Sequence, residues 1–250
     1  MRIPLEDNFD DIVGKACWGL RVRPPTDQRD EAGIRQLAKT LGLGADALVA
    51  SYRQTWYPED PGEIPGFAMF TTPFGDMTVN SYVVFDPVTR EAAAFDTGAD
   101  CSGMLALGVN IQQVFLTHIH GDHVGDLDRL KKQTGARAFV SARESLTGAE
   151  PFADGREFQV GNLRVQPRQT SGHTRGGTSY VVTGLARQVV MTGDALFAGS
   201  MGGALVDYRE ALRTNRENIF SLPADTVICP GHGPLTTVGE EQQYNPFFAR

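Results

Sequence analysis

The chain of 250 residues contains five histidines, and three of them, His118, His120 and His123, fall within six positions. They belong to the string Thr117-His118-Ile119-His120-Gly121-Asp122-His123, which follows the apolar run Val114-Phe115-Leu116. Residues two apart on an extended or turning backbone project to the same side, so His118 and His120 are placed to grip one ion together. Asp122 and His123, adjacent where the chain begins a helical turn, are placed to face a second position close by. Imidazole and carboxylate are good ligands for divalent metals. No packing requirement calls for three imidazoles and an acid on one tight loop.

The other two histidines sit in glycine-flanked turns, His173 in Thr170-Ser171-Gly172-His173-Thr174 and His232 in Pro230-Gly231-His232-Gly233-Pro234. Glycine lets the backbone bend sharply there and lets a ligand approach closely. A lone loop histidine is ordinarily a surface residue, but beside a cluster of the other three both are expected to join the metal set. Asp194 follows Val189-Val190-Met191-Thr192-Gly193, at the carboxyl end of an expected strand where α/β folds gather functional side chains. Five neutral imidazoles and Asp122 leave two divalent ions short of compensating charge, which makes Asp194 the candidate bridge between them. Asp96, after Phe95, is expected either to orient a ligand imidazole or simply to turn the chain.

These side chains need elements to hold them. Ile34, Leu37, Ala38 and Leu41 fall at helical spacing, and Ala47 to Trp56 continues after the turn Leu41-Gly42-Leu43-Gly44, so residues 1–65 read as a helical extension closed by a linker with Pro58, Pro61 and Pro65. From Gly66 the pattern turns to short β-rich runs: Phe67 to Thr72, Val79 to Phe85, Ala92 to Phe95, Val114 to Leu116 and Ala138 to Ser141. Hairpins are expected over Phe158 to Gln166 and from Tyr180 to Thr192, and a last strand over Thr226 to Ile228. Helices are expected from about Val124 to Lys132 and from Tyr208 to Phe220. Strands with interspersed helices make residues 66–250 a layered α/β catalytic domain. The extension is expected to cap the main domain, line its cleft or form a dimer.

Composition narrows the functions. With 41% hydrophobic and 21% charged residues the chain is of the globular type. Its longest apolar runs are four residues, far short of the ~20 that cross a bilayer. The first eleven residues carry four acids and no apolar stretch, so a cytoplasmic location without membrane attachment is expected. A net charge of −7 without a basic stripe argues against a nucleic-acid partner, including DNA recognition by the extension, and hence against a nuclease. Cys17, Cys101 and Cys229 lack paired spacing and read as reduced packing residues. No Gly-x-Ser-x-Gly elbow offers a serine nucleophile.

The string His118-Ile119-His120-Gly121-Asp122-His123 resembles the H-x-H-x-D-H signature of the metallo-β-lactamase superfamily. Gly172-His173-Thr174, Thr192-Gly193-Asp194-Ala195-Leu196-Phe197-Ala198-Gly199-Ser200 and Pro230-Gly231-His232-Gly233 are similar to its glyoxalase II-like branch. The resemblance runs from about Gly66 to Phe248 and implies an αββα sandwich with two metals in a cleft at one edge of the sheets. It implies His118, His120 and His173 on the first ion, Asp122, His123 and His232 on the second, Asp194 as bridge, and Asp96 as the buried aspartate that steadies the histidine loop. The implied metal is zinc, with iron or manganese tolerated. The implied activity is hydrolysis of a small-molecule ester-type bond, above all a thioester, by a metal-bridging hydroxide, with Asp122 and Asp194 as catalytic carboxylates. The sequence departs from glutathione-specific relatives in having eighteen residues after His232, without their helical domain, and Met201-Gly202-Gly203 where they carry Gly-Arg. Lactone hydrolysis at the same site, oxidation of persulfides by one iron on His118, His173 and Asp194, and metal binding without catalysis are the alternatives. A homo-oligomer is left open.

Overall fold

The computed structural model describes residues 2–23 and 30–249. Three helices open the chain: α1 (Phe9–Leu20), α2 (Glu31–Leu41) and α3 (Ala45–Arg53). Each begins and ends for a local reason. Asn8 and Asp11 form a capping box on α1, Asp30 accepts from the Gly33 N–H at 2.7 Å at the start of α2, and Gly42 ends α2 in the left-handed conformation. Gln54, at φ 53°, ends α3 before the expected Trp56.

The first sheet has six strands in the order β1 (Phe67–Phe74), β2 (Met77–Phe85), β3 (Glu91–Phe95), β4 (Asn110–Phe115), β5 (Arg137–Ser141) and β6 (Ala149–Phe152). The pairs β1–β2 and β2–β3 are antiparallel, and β3 through β6 are parallel. Between these strands run α4 (Ser102–Ala106), α5 (Gly121–Val124) and α6 (Leu127–Thr134). The single helix expected from Val124 is thus two: α5 stops at Val124 and α6 restarts after Gly125 and Asp126. The Asp126 carboxylate, which accepts the Cys101 N–H at 2.9 Å, ties that break to the chain before α4.

The second sheet runs β12 (Thr236–Thr237), β11 (Val227–Pro230), β10 (Val189–Gly193), β9 (Thr178–Thr183), β8 (Leu163–Gln169) and β7 (Phe158–Val160) across its width. Only β10 and β11 pair in parallel, with α7 (Tyr208–Asn218) as the crossover, and α8 (Val238–Tyr244) follows β12. The two sheets face each other through a core that includes Phe95, Phe115, Phe139, Phe158 and Tyr180, whose neighbouring ring centroids lie 4.8–5.7 Å apart. Each such pair adds about 0.5–1.5 kcal/mol beyond its burial.

The outer face of the first sheet packs Val83, Ala94 and Val114 against Met104, Leu127 and Leu130. The outer face of the second packs Val181, Val190 and Ile228 in one cluster with Ile12, Ile34 and Leu48 of the opening helices and with Ala211 and Val238 of α7 and α8. The result is a four-layer αββα sandwich. The three cysteines are buried and free. Among the described residues no helix is long and apolar enough to cross a membrane.

Candidate metal centre

The parallel strands β4, β10 and β11 all deliver their carboxyl ends to one edge of the sandwich. Thr117 to His123 follow β4, Asp194 follows β10, and Gly231-His232 follow β11, the placement expected for functional loops of open α/β sheets. Two glycines permit the convergence. Gly193 adopts φ 50°, and a Cβ there would stand 2.4 Å from the Thr117 hydroxyl oxygen. At Gly231 the backbone is ordinary, but a Cβ would stand 2.3 Å from Asp194 Oδ1 and 2.6 Å from His123 Cε1.

All seven residues singled out in the sequence come together. His118, His120, His173 and Asp194 form one group, and Asp122, His123 and His232 a second, with the candidate ligand atoms in each group within 4.8 Å of one another. Asp194 faces both. Its Oδ2 lies 3.5 Å from His173 Nε2 and 4.0 Å from His118 Nε2, while its Oδ1 lies 3.2 Å from His123 Nε2 and 3.5 Å from His232 Nε2. Asp122 Oδ2 lies 3.2 Å from His232 Nε2 and 3.5 Å from His123 Nε2.

Outer hydrogen bonds fix which nitrogen each ring turns inward. His123 Nδ1 donates to Asp96 Oδ2 at 2.8 Å, His173 Nδ1 to the Gly203 carbonyl at 2.6 Å, and His232 Nδ1 to the Thr78 carbonyl at 2.6 Å. The Thr117 hydroxyl donates to Asp96 Oδ2 at 2.7 Å and is therefore free to accept from His118 Nδ1 at 3.1 Å. Each of these four rings in its neutral form then aims an unprotonated Nε2 into the site. His120 presents Nδ1, 3.0 Å from His118 Nε2 and 3.1 Å from His173 Nε2. Asp96, the residue with two expected roles, takes the orienting one: it sits at φ 53°, is 3% exposed, and also accepts the Thr117 N–H at 2.8 Å.

This donor set fits metal cations. His123 Nε2 and Asp194 Oδ1 are buried without hydrogen-bond partners, and with the ring neutral their lone pairs face each other at 3.2 Å, an arrangement that a cation between them resolves. Burial pushes the His118 and His173 imidazoles down, keeping them neutral and able to ligate. Burial also opposes charge on Asp194, yet His123 above all, then His232, holds it well below the usual carboxylate range. Burial opposes charge on His232 as well, but Asp122 and Asp194 raise it to about 10. The carboxylates thus demand positive charge here, which a proton on a ring or a divalent ion supplies.

Residues 74–232 match the family model of the metallo-β-lactamase superfamily. The chain belongs to that superfamily. It is 28% identical to the human persulfide dioxygenase ETHE1 over 222 residues, covering 85% of this chain and 80% of that protein. To the hydroxyacylglutathione hydrolase of Pseudomonas entomophila it is 28% identical over 156 residues, 60% of each chain. Among solved structures, TTHA1623 in a di-iron-bound form is 26% identical, with a TM-score of 0.58 over 71% of this chain and 99% of that one. Superfamily membership makes this an enzyme-type fold with a His/Asp site for divalent metal ions.

Sequence reasoning missed the outer partners Thr78 and Gly203. Both act through backbone carbonyls, which leave no mark in residue type.

Proposed function

We propose that the protein is a two-metal hydrolase of thioester-type bonds in small molecules, with a glyoxalase II-like ligand set. The observation that carries the reading is the division of Asp194, one carboxylate oxygen toward His118 and His173 and the other toward His123 and His232. His118, His120 and His173 would hold one ion, Asp122, His123 and His232 the other, and Asp194 would join them. When bound, such ions lower the pKa of coordinated water from ~15.7 to ~7 and polarise a carbonyl oxygen.

The chain's own groups do the rest. Asp96, Gly203 and Thr78 lock the rings so that no reorientation is needed during reaction. Asp122, buried in the second group, orients the attacking water and takes its proton. The products are a carboxylic acid and a thiol. Thiolate leaves readily, so no strong general acid is required, and among the described residues no cysteine is exposed to act as a rival nucleophile.

The similarity to the human persulfide dioxygenase raises a second reading, one iron on His118, His173 and Asp194. That reading leaves Asp122, His123 and His232 converged without a task. The test is a panel of thioesters, an acyl lactone and a persulfide, assayed with and without oxygen on metal-analysed protein. Anaerobic thioester hydrolysis with two ions per chain supports the proposal. Oxygen uptake on persulfide with one iron per chain, or turnover of the lactone alone, overturns it.

A further inference from the structure

A cavity of about 440 Å³ opens between the segment before α1, the end of α3 and the loop after Asp194, lined among others by Glu6, Asp7, Trp56, Tyr57, Gly199 and Tyr244. Its two carboxylates differ. Asp7 is spent on structure: it accepts from the Ser200 hydroxyl at 2.5 Å and from the Lys15 ammonium, which also donates to the Met201 carbonyl at 2.8 Å. That network pins the N-terminal segment to the loop that leads from Asp194 to the His173 partner Gly203. Glu6, next in the chain, makes no hydrogen bond or ion pair among the described residues, although it is half-buried. Its backbone N and Cβ lie 3.4 and 3.7 Å from where a Cβ on Gly233 would stand, one residue from His232.

The walls beside Glu6 are aromatic. Trp56 stacks on Tyr244 at 5.0 Å, and the exposed Arg2 already places its guanidinium 4.9 Å over the Tyr57 ring at the rim. Arg2 stands in solvent, where its charge is screened, whereas the Lys15 charge is cancelled by Asp7. The inner surface therefore combines a half-buried carboxylate, without a hydrogen bond or ion pair among the described residues, with electron-rich ring faces, the combination that holds organic ammonium groups.

We propose that this cavity is the subsite for the cationic end of the substrate, an ammonium-bearing group held by Glu6 against the Trp56 and Tyr57 rings while the scissile bond lies at the metal centre. The substrate class follows from the hydrolase reading; the cation site itself does not depend on it. In the Trp18→Phe protein Trp56 is the one remaining tryptophan. Tetramethylammonium chloride, titrated at constant ionic strength, should quench its fluorescence saturably, with affinity falling about tenfold in Glu6→Gln. Since Glu6 makes no hydrogen bond or ion pair among the described residues, that replacement removes no such contact there. The kinetic arm compares S-butyrylthiocholine with its uncharged 3,3-dimethylbutyl isostere. The KM of the cationic ester should be about tenfold lower, and Glu6→Gln should erase the difference. Absence of saturable quenching, or equal affinity in Glu6→Gln, overturns the subsite. If quenching behaves as expected while neither ester turns over, the hydrolase reading fails and the cation site stands.

Discussion

Replacing Asp96 by Asn isolates the part played by the outer hydrogen bonds, because it changes one atom and leaves the shape alone. Asp96 lies at φ 53°, a conformation Asn tolerates, so the backbone carries over. Its carboxylate receives the Thr117 N–H at 2.8 Å, the Thr117 hydroxyl at 2.7 Å and His123 Nδ1 at 2.8 Å. An Asn oxygen can keep the first, but its NH2 then confronts two donors. Relief requires the His123 proton to move to Nε2, which turns an N–H toward Asp194 Oδ1, 3.2 Å away, and removes the ring as a ligand. A buried bond to a charged acceptor is worth ~1.5–3 kcal/mol, which lowers Tm by about 3–12 °C in a chain of this size. Loss of an outer partner of a metal ligand costs ~10–100-fold in affinity. Competition with a chromogenic chelator reads this directly. One ion should remain at wild-type affinity and the other weaken by that factor. Two ions held at wild-type affinity, alongside a lowered Tm, would show that Asp96 supports the fold without setting the tautomer.

Other consequences are open to simpler tests. Gly231→Ala drives a methyl into Asp194 and His123, so metal content by elemental analysis should fall to one ion or fewer. Chelation of the wild type should abolish hydrolysis and lower Tm in a melt followed by circular dichroism, since metal at ~1,000-fold its Kd contributes ~4 kcal/mol. Glu241, buried and accepting from Gly199, Thr236 and Asn245, is raised by burial from 4.5 to about 8. The folded state then holds a proton that the unfolded chain releases. Its contribution is complete below pH 4.5 and is lost as pH rises to about 8, by roughly 4–5 kcal/mol at most. Urea melts at pH 5 and 8.5 should show this loss in the wild type and a much flatter profile in Glu241→Gln; equal slopes would remove Glu241 as the cause.

What the sequence made legible follows from which forces are local. The strands other than β6 and β12 were readable from β-branched and aromatic runs between turns. The seven candidate ligands were readable because their side chains are themselves the chemistry. Unread were α1, whose cap and end lie in Asn8 and Arg21, and α8, a short segment rich in Glu and Gln whose stability comes from burying Val238 and Glu241 against the second sheet. The strand β6 was hidden because Glu150 and Pro151 interrupt its apolar pattern at the sheet edge. Pairing of the two sheets across Phe95, Phe115 and Tyr180 is likewise a tertiary fact, and so is the close approach of Glu6 to Gly233.

The most direct trial of the central claim is an anomalous-scattering crystal structure of metal-loaded wild-type protein, set beside Asp194→Asn. Two cations a few ångströms apart, both touching Asp194 in the wild type and reduced to one or none in the variant, is the result expected. A single ion on His118, His173 and Asp194, with His123 and His232 uninvolved, would contradict it.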